Sequence, residues 1–133
     1  GTADWVLSQS VLEHVDELEE AHAAIAYWMR PGGFATHLID FSSHSLTEHW
    51  NGHWTIRPGV WRMIRGRRPY LINRMWRSRH IELIRKNGFE ILDELPFERT
   101  DGLPRDSFKA PFSAMPEEDS RIAMSFFVTR KTG

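Results

Sequence analysis

The sequence predicts an α/β domain built around parallel strands, and three observations carry that prediction. Residues 3–8 are mostly apolar, with aromatic and β-branched content, and suit a strand buried on both faces of a parallel sheet. Leu18, Ala21, Ile25 and Trp28 or Met29 then recur at helical spacing and form one apolar stripe. Pro31, Gly32 and Gly33 stop that helix and turn the chain into a second apolar run, Phe34 to Phe41. Strand, helix, strand at these lengths is a βαβ unit, whose crossover is right-handed in nearly all known cases.

Each further element has its own signal. Asp16 followed three residues later by Glu19 predicts a capping box at the first helix. Pro58 is acceptable in a first helical turn, so a short helix is expected near 58–66. Ser78 is a plausible cap for a helix running to Asn87 and ended by Gly88. Phe89 to Leu95 reads as a strand. Residues 96–120 hold four prolines and many polar residues, so they read as loop. Met124 to Thr129 is the β-rich part of a last strand within Arg121 to Arg130.

Length and composition narrow the class. A chain of 133 residues fits one small domain, 1–133, with an irregular basic and aromatic insert at about 42–77. There is no cysteine, so disulfides and thiolate metal sites are excluded; a reducing, cytoplasmic setting fits. No apolar run approaches the roughly 20 residues of a membrane span. The net charge of −1 hides a strong segregation. Glu13, Asp16, Glu17, Glu19 and Glu20 crowd the early part. No acid lies between His49 and Ile81, where Arg57, Arg62, Arg65, Arg67, Arg68, Arg74, Arg77 and Arg79 fall, with Trp50, Trp54, Trp61 and Trp76 in or beside them.

The stretch Asp4-Trp5-Val6-Leu7-Ser8-Gln9-Ser10-Val11-Leu12-Glu13-His14-Val15, followed by Arg30-Pro31-Gly32-Gly33, resembles the middle of a class I S-adenosylmethionine-dependent methyltransferase of the small-molecule branch. The resemblance is strongest over residues 4–41, holds over 78–95 and is weak in the insert and final loop. It implies the C-terminal half of a Rossmann-like sheet, in which the last strand runs antiparallel between its neighbours. It also implies S-adenosylmethionine as cofactor of the complete domain. No G-x-G occurs anywhere in the chain, so the glycine-rich cofactor loop of that family is not among these residues. The expectation is a piece of a domain, a domain cut within, or a degenerate remnant, inactive by itself. The complete domain would methylate a small, possibly anionic acceptor. The alternative is a non-catalytic half-domain that binds a partner chain or an anionic ligand.

In doubly wound sheets, ligands sit beyond the carboxyl ends of the strands, and the turn Ser8 to His14 leaves such an end. By resemblance, Ser8, Gln9 and Ser10 are cofactor-side residues, while Glu13 and His14 face the substrate. Glu13 also suits a helix N-terminus, where a carboxylate favours the dipole. Some relatives hold magnesium here through Glu-x-x-Glu-His. Ser10 stands in the first of those positions, and a hard cation prefers carboxylate oxygen, so no metal is expected.

The insert offers the remaining candidates. Asp40, His44, His49, Asn51 and His53 are polar groups near the expected substrate. A histidine with an aspartate partner can act as general base, and His44 is assigned that role with Glu13 and His14. Methyl transfer often needs little beyond positioning and a deprotonated acceptor. Arg65, Arg67 and Arg68 suit a lid that recognises an anionic substrate. They equally suit nucleic acid, which the absence of a basic excess disfavours, or a solvated basic face. Finally, Trp5, Val6 and Leu7 are too apolar for a solvent-facing edge, so self-association through the strand 3–8 is expected.

Overall fold

In the computed structural model, all 133 residues are described. The sheet has four strands: β1 (Ala3–Gln9), β2 (Met29–Asp40), β3 (Phe89–Glu98) and β4 (Ile122–Lys131). Their spatial order is β1-β2-β4-β3. β1 pairs with β2 in parallel, while β4 runs antiparallel between β2 and β3. The βαβ unit and the inserted last strand therefore stand as the sequence predicts.

The helices are α1 (Leu18–Trp28), α2 (Pro58–Arg65) and α3 (Arg77–Lys86). Pro58 opens α2 as expected, because its fixed φ suits a first turn and its missing N–H has no partner to lose. The caps differ from expectation. Asp16 and Glu19 form no capping box, since Asp16 is held by Arg65 instead. Ser78 does not cap α3 with its side chain; Asp119, distant in sequence, accepts its backbone N–H at 3.0 Å. At the far end of α1, Lys131 Nζ donates to the carbonyls of Ala26 and Met29 at 2.6 and 2.9 Å. A cation there satisfies orphan carbonyls and suits the helix dipole.

β2 starts earlier than the Pro-Gly-Gly signal suggests, at Met29 directly after the helix. Gly32 takes a φ of +77°, and the register with β1 slips between Ala3 and Trp5. A Cβ on Gly33 would lie 3.1 Å from the Ala3 carbonyl, so glycine eases the close approach of β1 and β2 there. The loop after β3 carries only short 3-10 turns, in keeping with its prolines.

Period-two alternation sorts the strand residues onto two faces. Ala35, His37 and Ile39 of β2 pair with Thr129, Phe127 and Ser125 of β4, and all six are buried beneath α1 and α3. The opposite face has no covering layer. Trp5 is 62% exposed, Leu7 55%, Leu95 62% and Phe97 60%, with Phe34 beside Trp5 also exposed. The expectation that β1 is buried on both faces fails for this reason: both helices pack on one side. No helix is long and apolar enough to cross a membrane.

Candidate active site at the ends of the parallel strands

The chain leaves β1 through Ser10, whose φ is +52°, and makes one 3-10 turn at Leu12–His14. This turn is clamped from outside. Asn73 Nδ2 donates to the carbonyls of Leu12 and Val15 at 2.8 and 2.7 Å, and the Asn73 backbone N–H donates to the Glu13 carbonyl at 2.7 Å. Nothing in the local sequence marks Asn73 for this role, because its partners lie about 60 residues away.

Glu13 and His14 meet the loop after β2. The rings of His14 and His44 stand edge to face, 5.0 Å apart. Donor atoms of Glu13, His14 and His44 all lie within 4.8 Å of one another. Asp40, at the end of β2, accepts the Ser42 backbone N–H at 2.8 Å and places Oδ2 3.4 Å from His44 Nε2. Glu13 is only 3% exposed, and neither carboxylate oxygen has a hydrogen-bond partner. Burial pushes its carboxyl above the ordinary range; nearby backbone N–H groups and His14 offset this in part, and Asp40 adds to it. A buried carboxyl with a raised pKa beside two imidazoles is a combination suited to proton transfer.

His14 also lines a cleft of about 540 Å³, with Ser10, Val11, Val15, Asp16, Glu17, Pro69 and Tyr70. Its size suits a small molecule. Tyr70 holds a positive φ of 61° and stands exposed on the wall contributed by the insert. The sequence reading missed Tyr70; its place between the arginine run and Asn73 is the only signal.

The other expected site residues go to different places. Ser8 faces the helices, with Oγ 2.8 Å from His37 Nδ1, while Gln9 is exposed and Ser10 borders the cleft. His49 lies outside the cluster, where its carbonyl accepts the Thr47 hydroxyl. Asn51 is fully buried and bonds Leu103 through both its oxygen and its nitrogen, tying the insert to the final loop. His53 is buried against Trp54, with Nε2 2.8 Å from the Phe41 carbonyl, and burial pushes its pKa down to about 3.

The arginines of the insert are also distributed. Arg65 forms a bidentate pair with Asp16 at the rim of the cleft. Arg68 donates to the carbonyls of Ile64 and Arg65, closing α2. Arg67 is exposed, with no ion-pair partner. Arg74 organises the insert from within. It donates to the His53 and Ile56 carbonyls at 3.0 and 2.7 Å and lies about 4.5 Å from the ring centres of Trp61 and Phe112. Burial pushes its pKa down to about 10. So part of the aromatic–basic pattern is core: Trp54 and Trp61 are buried around Arg74.

No family model and no curated protein matches the chain. Solved structures do. A methyltransferase from Methanosarcina mazei, described as S-adenosylmethionine-dependent, matches with a TM-score of 0.60 at 11% identity, over 97% of this chain and 59% of that one. Phosphoethanolamine N-methyltransferase 2 from Haemonchus contortus, solved with phosphomonomethylethanolamine and S-adenosylhomocysteine, matches with a TM-score of 0.52 at 16% identity, over 98% of this chain and 34% of that one. The [4+2]-cyclase SpnF matches with a TM-score of 0.50 at 16% identity, over 97% and 49%. At such identities the likeness concerns the fold, and one fold hosts several chemistries. The chain spans about a third to two thirds of the length of these structures. Strand order, the antiparallel last strand and these matches together place the chain in the class I S-adenosylmethionine-dependent methyltransferase fold, of which it forms part of one domain.

Proposed function

We propose that this chain supplies the acceptor side of an S-adenosylmethionine-dependent methyltransferase acting on a small molecule. The observation that carries the reading is the convergence of Glu13, His14 and His44 beside a cleft at the carboxyl ends of two parallel strands. Several of the matched structures are methyltransferases, which supports the same class.

When bound, S-adenosylmethionine supplies an electrophilic methyl group. Ser10 and the exposed Gln9 suit one flank of that cofactor; the Ser8 hydroxyl does not, because it faces His37. The acceptor lies in the cleft against Val11, Val15 and Tyr70. His14 takes the proton from the acceptor oxygen or nitrogen as its lone pair attacks. Glu13 and His44 hold the charge that develops on the imidazole, and Asp40 orients His44. An anionic group on the acceptor meets Arg67, since Arg65 and Arg68 already have partners. Alone, the chain self-associates through the outer edge of β1, where Trp5 and Leu7 stand exposed.

The test is transfer of labelled methyl by the domain completed with the strands that flank β1 in the matched structures. His14→Ala should lower kcat by about 100-fold or more, the usual range for a general base, while the melting temperature changes little. Equal loss of activity and stability makes these residues structural and sinks the assignment.

A further inference from the structure

We infer that α2 and the turn after it dock on a lipid bilayer that carries anionic phospholipid. This surface lies outside the cleft, which neither Val60, Met63 nor any arginine of α2 lines. It does not depend on methyl transfer.

The helix is held from one side only. Trp61 is buried, with the Arg74 guanidinium 4.6 Å from its ring centre, and Arg65 pairs with Asp16. Residues three and four apart share a helix face, so Val60, Met63 and Ile64 form one stripe. That stripe points away from the core: all three are exposed, Met63 to 75%. Single exposed apolar side chains are ordinary. Three on one stripe of an eight-residue helix make an unpartnered face.

Charge decides what covers it. Residues 57–68 carry five arginines and no acid. Arg65 is neutralised by Asp16, while Arg57, Arg62, Arg67 and Arg68 are exposed and form no ion pair. At about 100° per residue, Arg57 and Arg62 fall on either side of the apolar stripe. Arg67 and Arg68 follow the end of the helix.

An aliphatic crest between cations matches a bilayer interface, which offers acyl chains and phosphates together. The arginine stems lie along apolar surface while their heads reach the phosphates. Each cation near an anionic leaflet adds to the attraction. Nucleic acid matches less well. Its backbone would take the arginines, but it would leave the crest in water, and no aromatic on that stripe stacks a base. With only eight residues, the helix binds peripherally and reversibly. Tyr70, 79% exposed, stands where the same segment reaches the cleft, so docking sets the cleft mouth beside the headgroups.

The experiment is flotation of the 133-residue chain with vesicles of phosphatidylcholine alone and of phosphatidylcholine with roughly one-third phosphatidylglycerol. The expected result is flotation with the anionic vesicles only, lost as salt rises from about 0.05 M to about 0.5 M. Arg57→Ala with Arg62→Ala should lower the partition coefficient by about tenfold, and Met63→Glu by about as much. Circular dichroism verifies the fold of each variant. The chain has no cysteine, so Met63→Cys and Leu95→Cys each accept one environment-sensitive dye. The dye at position 63 should shift to the blue on anionic vesicles, and the dye at 95, on the open face of the sheet, should not. No flotation, equal flotation with neutral vesicles, or a shift at 95 without one at 63 overturns the inference. Single-stranded RNA bound through Arg57 and Arg62 by a chain that ignores vesicles assigns the surface to nucleic acid and also overturns it. Vesicle binding is measured without cofactor or acceptor, so either outcome leaves the methyl-transfer reading to its own test.

Discussion

On the helix-covered face of the sheet, Ala35, Ile39 and Phe127 are fully buried and the strand polar groups are mostly bonded; Thr129 Oγ1, for example, reaches the Ala35 carbonyl at 2.9 Å. On the opposite face, Trp5, Leu7, Phe34, Leu95 and Phe97 stand in solvent. Both faces carry apolar residues at period two, so composition alone does not separate them. What separates them is where α1 and α3 pack. One face completes a core within these 133 residues. The other exposes large apolar side chains on both edge strands, β1 and β3. The candidate site lies at the carboxyl ends of the parallel strands β1 and β2.

The largest effect separates the faces directly. Phe127→Ala should cost about 3–5 kcal/mol, because a fully buried aromatic leaves a cavity. Trp5→Lys with Leu7→Lys should change stability by no more than about 0.5 kcal/mol per position. The same pair should shift the sedimenting species from associated to monomeric, since charge on an open edge blocks pairing. Equal destabilisation by the two sets, measured by urea denaturation, would mean that the open face is covered.

The next effect is pH-dependent and comes mostly from the covered face, with the buried His53 of the insert adding to it. His22 stands between His37 and His80 there, its ring centre 6.1 Å from the first and 6.0 Å from the second. Burial pushes their pKa values down, to about 4 for His22, about 4 for His37 and about 3 for His80, with neighbouring histidines adding to the latter two. A histidine whose folded pKa lies below its unfolded value of 6.5 contributes stability above 6.5 and loses it as pH falls toward the folded pKa. Between pH 7 and pH 5 the loss should approach about 2 kcal/mol per histidine. Thermal melts across that window test it, and a flat profile contradicts the neutral, buried state of the trio.

The smallest effect lies at the rim of the cleft. Arg65→Ala or Asp16→Ala breaks an exposed ion pair and should cost under about 1 kcal/mol, fading with salt. A larger, salt-independent loss in denaturant melts would make that pair part of the core.

The fold was legible in the sequence where local pattern decides it. The apolar run of β1, the helical stripe ending before Pro31 and Pro58 at the start of α2 each depend on near neighbours. The caps were not legible, because Asp119 and Lys131 reach α3 and α1 across long stretches of chain. The site divides the same way. Glu13 and His14 stand in a recognisable turn, and the polar cluster after β2 includes His44. Asn51, His53 and Arg74 looked like ligand-facing groups or a basic surface, yet they are buried and bonded to distant carbonyls. Polar residues in an irregular insert give no period from which their direction can be read.

On the proposed function, this chain forms the acceptor side of the site, and the cofactor's anchors come with whatever covers the open face and the outer edge of β1. Calorimetry with S-adenosylmethionine on the 133-residue chain tests this most directly. The expected result is no binding at micromolar concentrations for the chain alone, and binding once the domain is completed. Micromolar affinity of the chain by itself would contradict it.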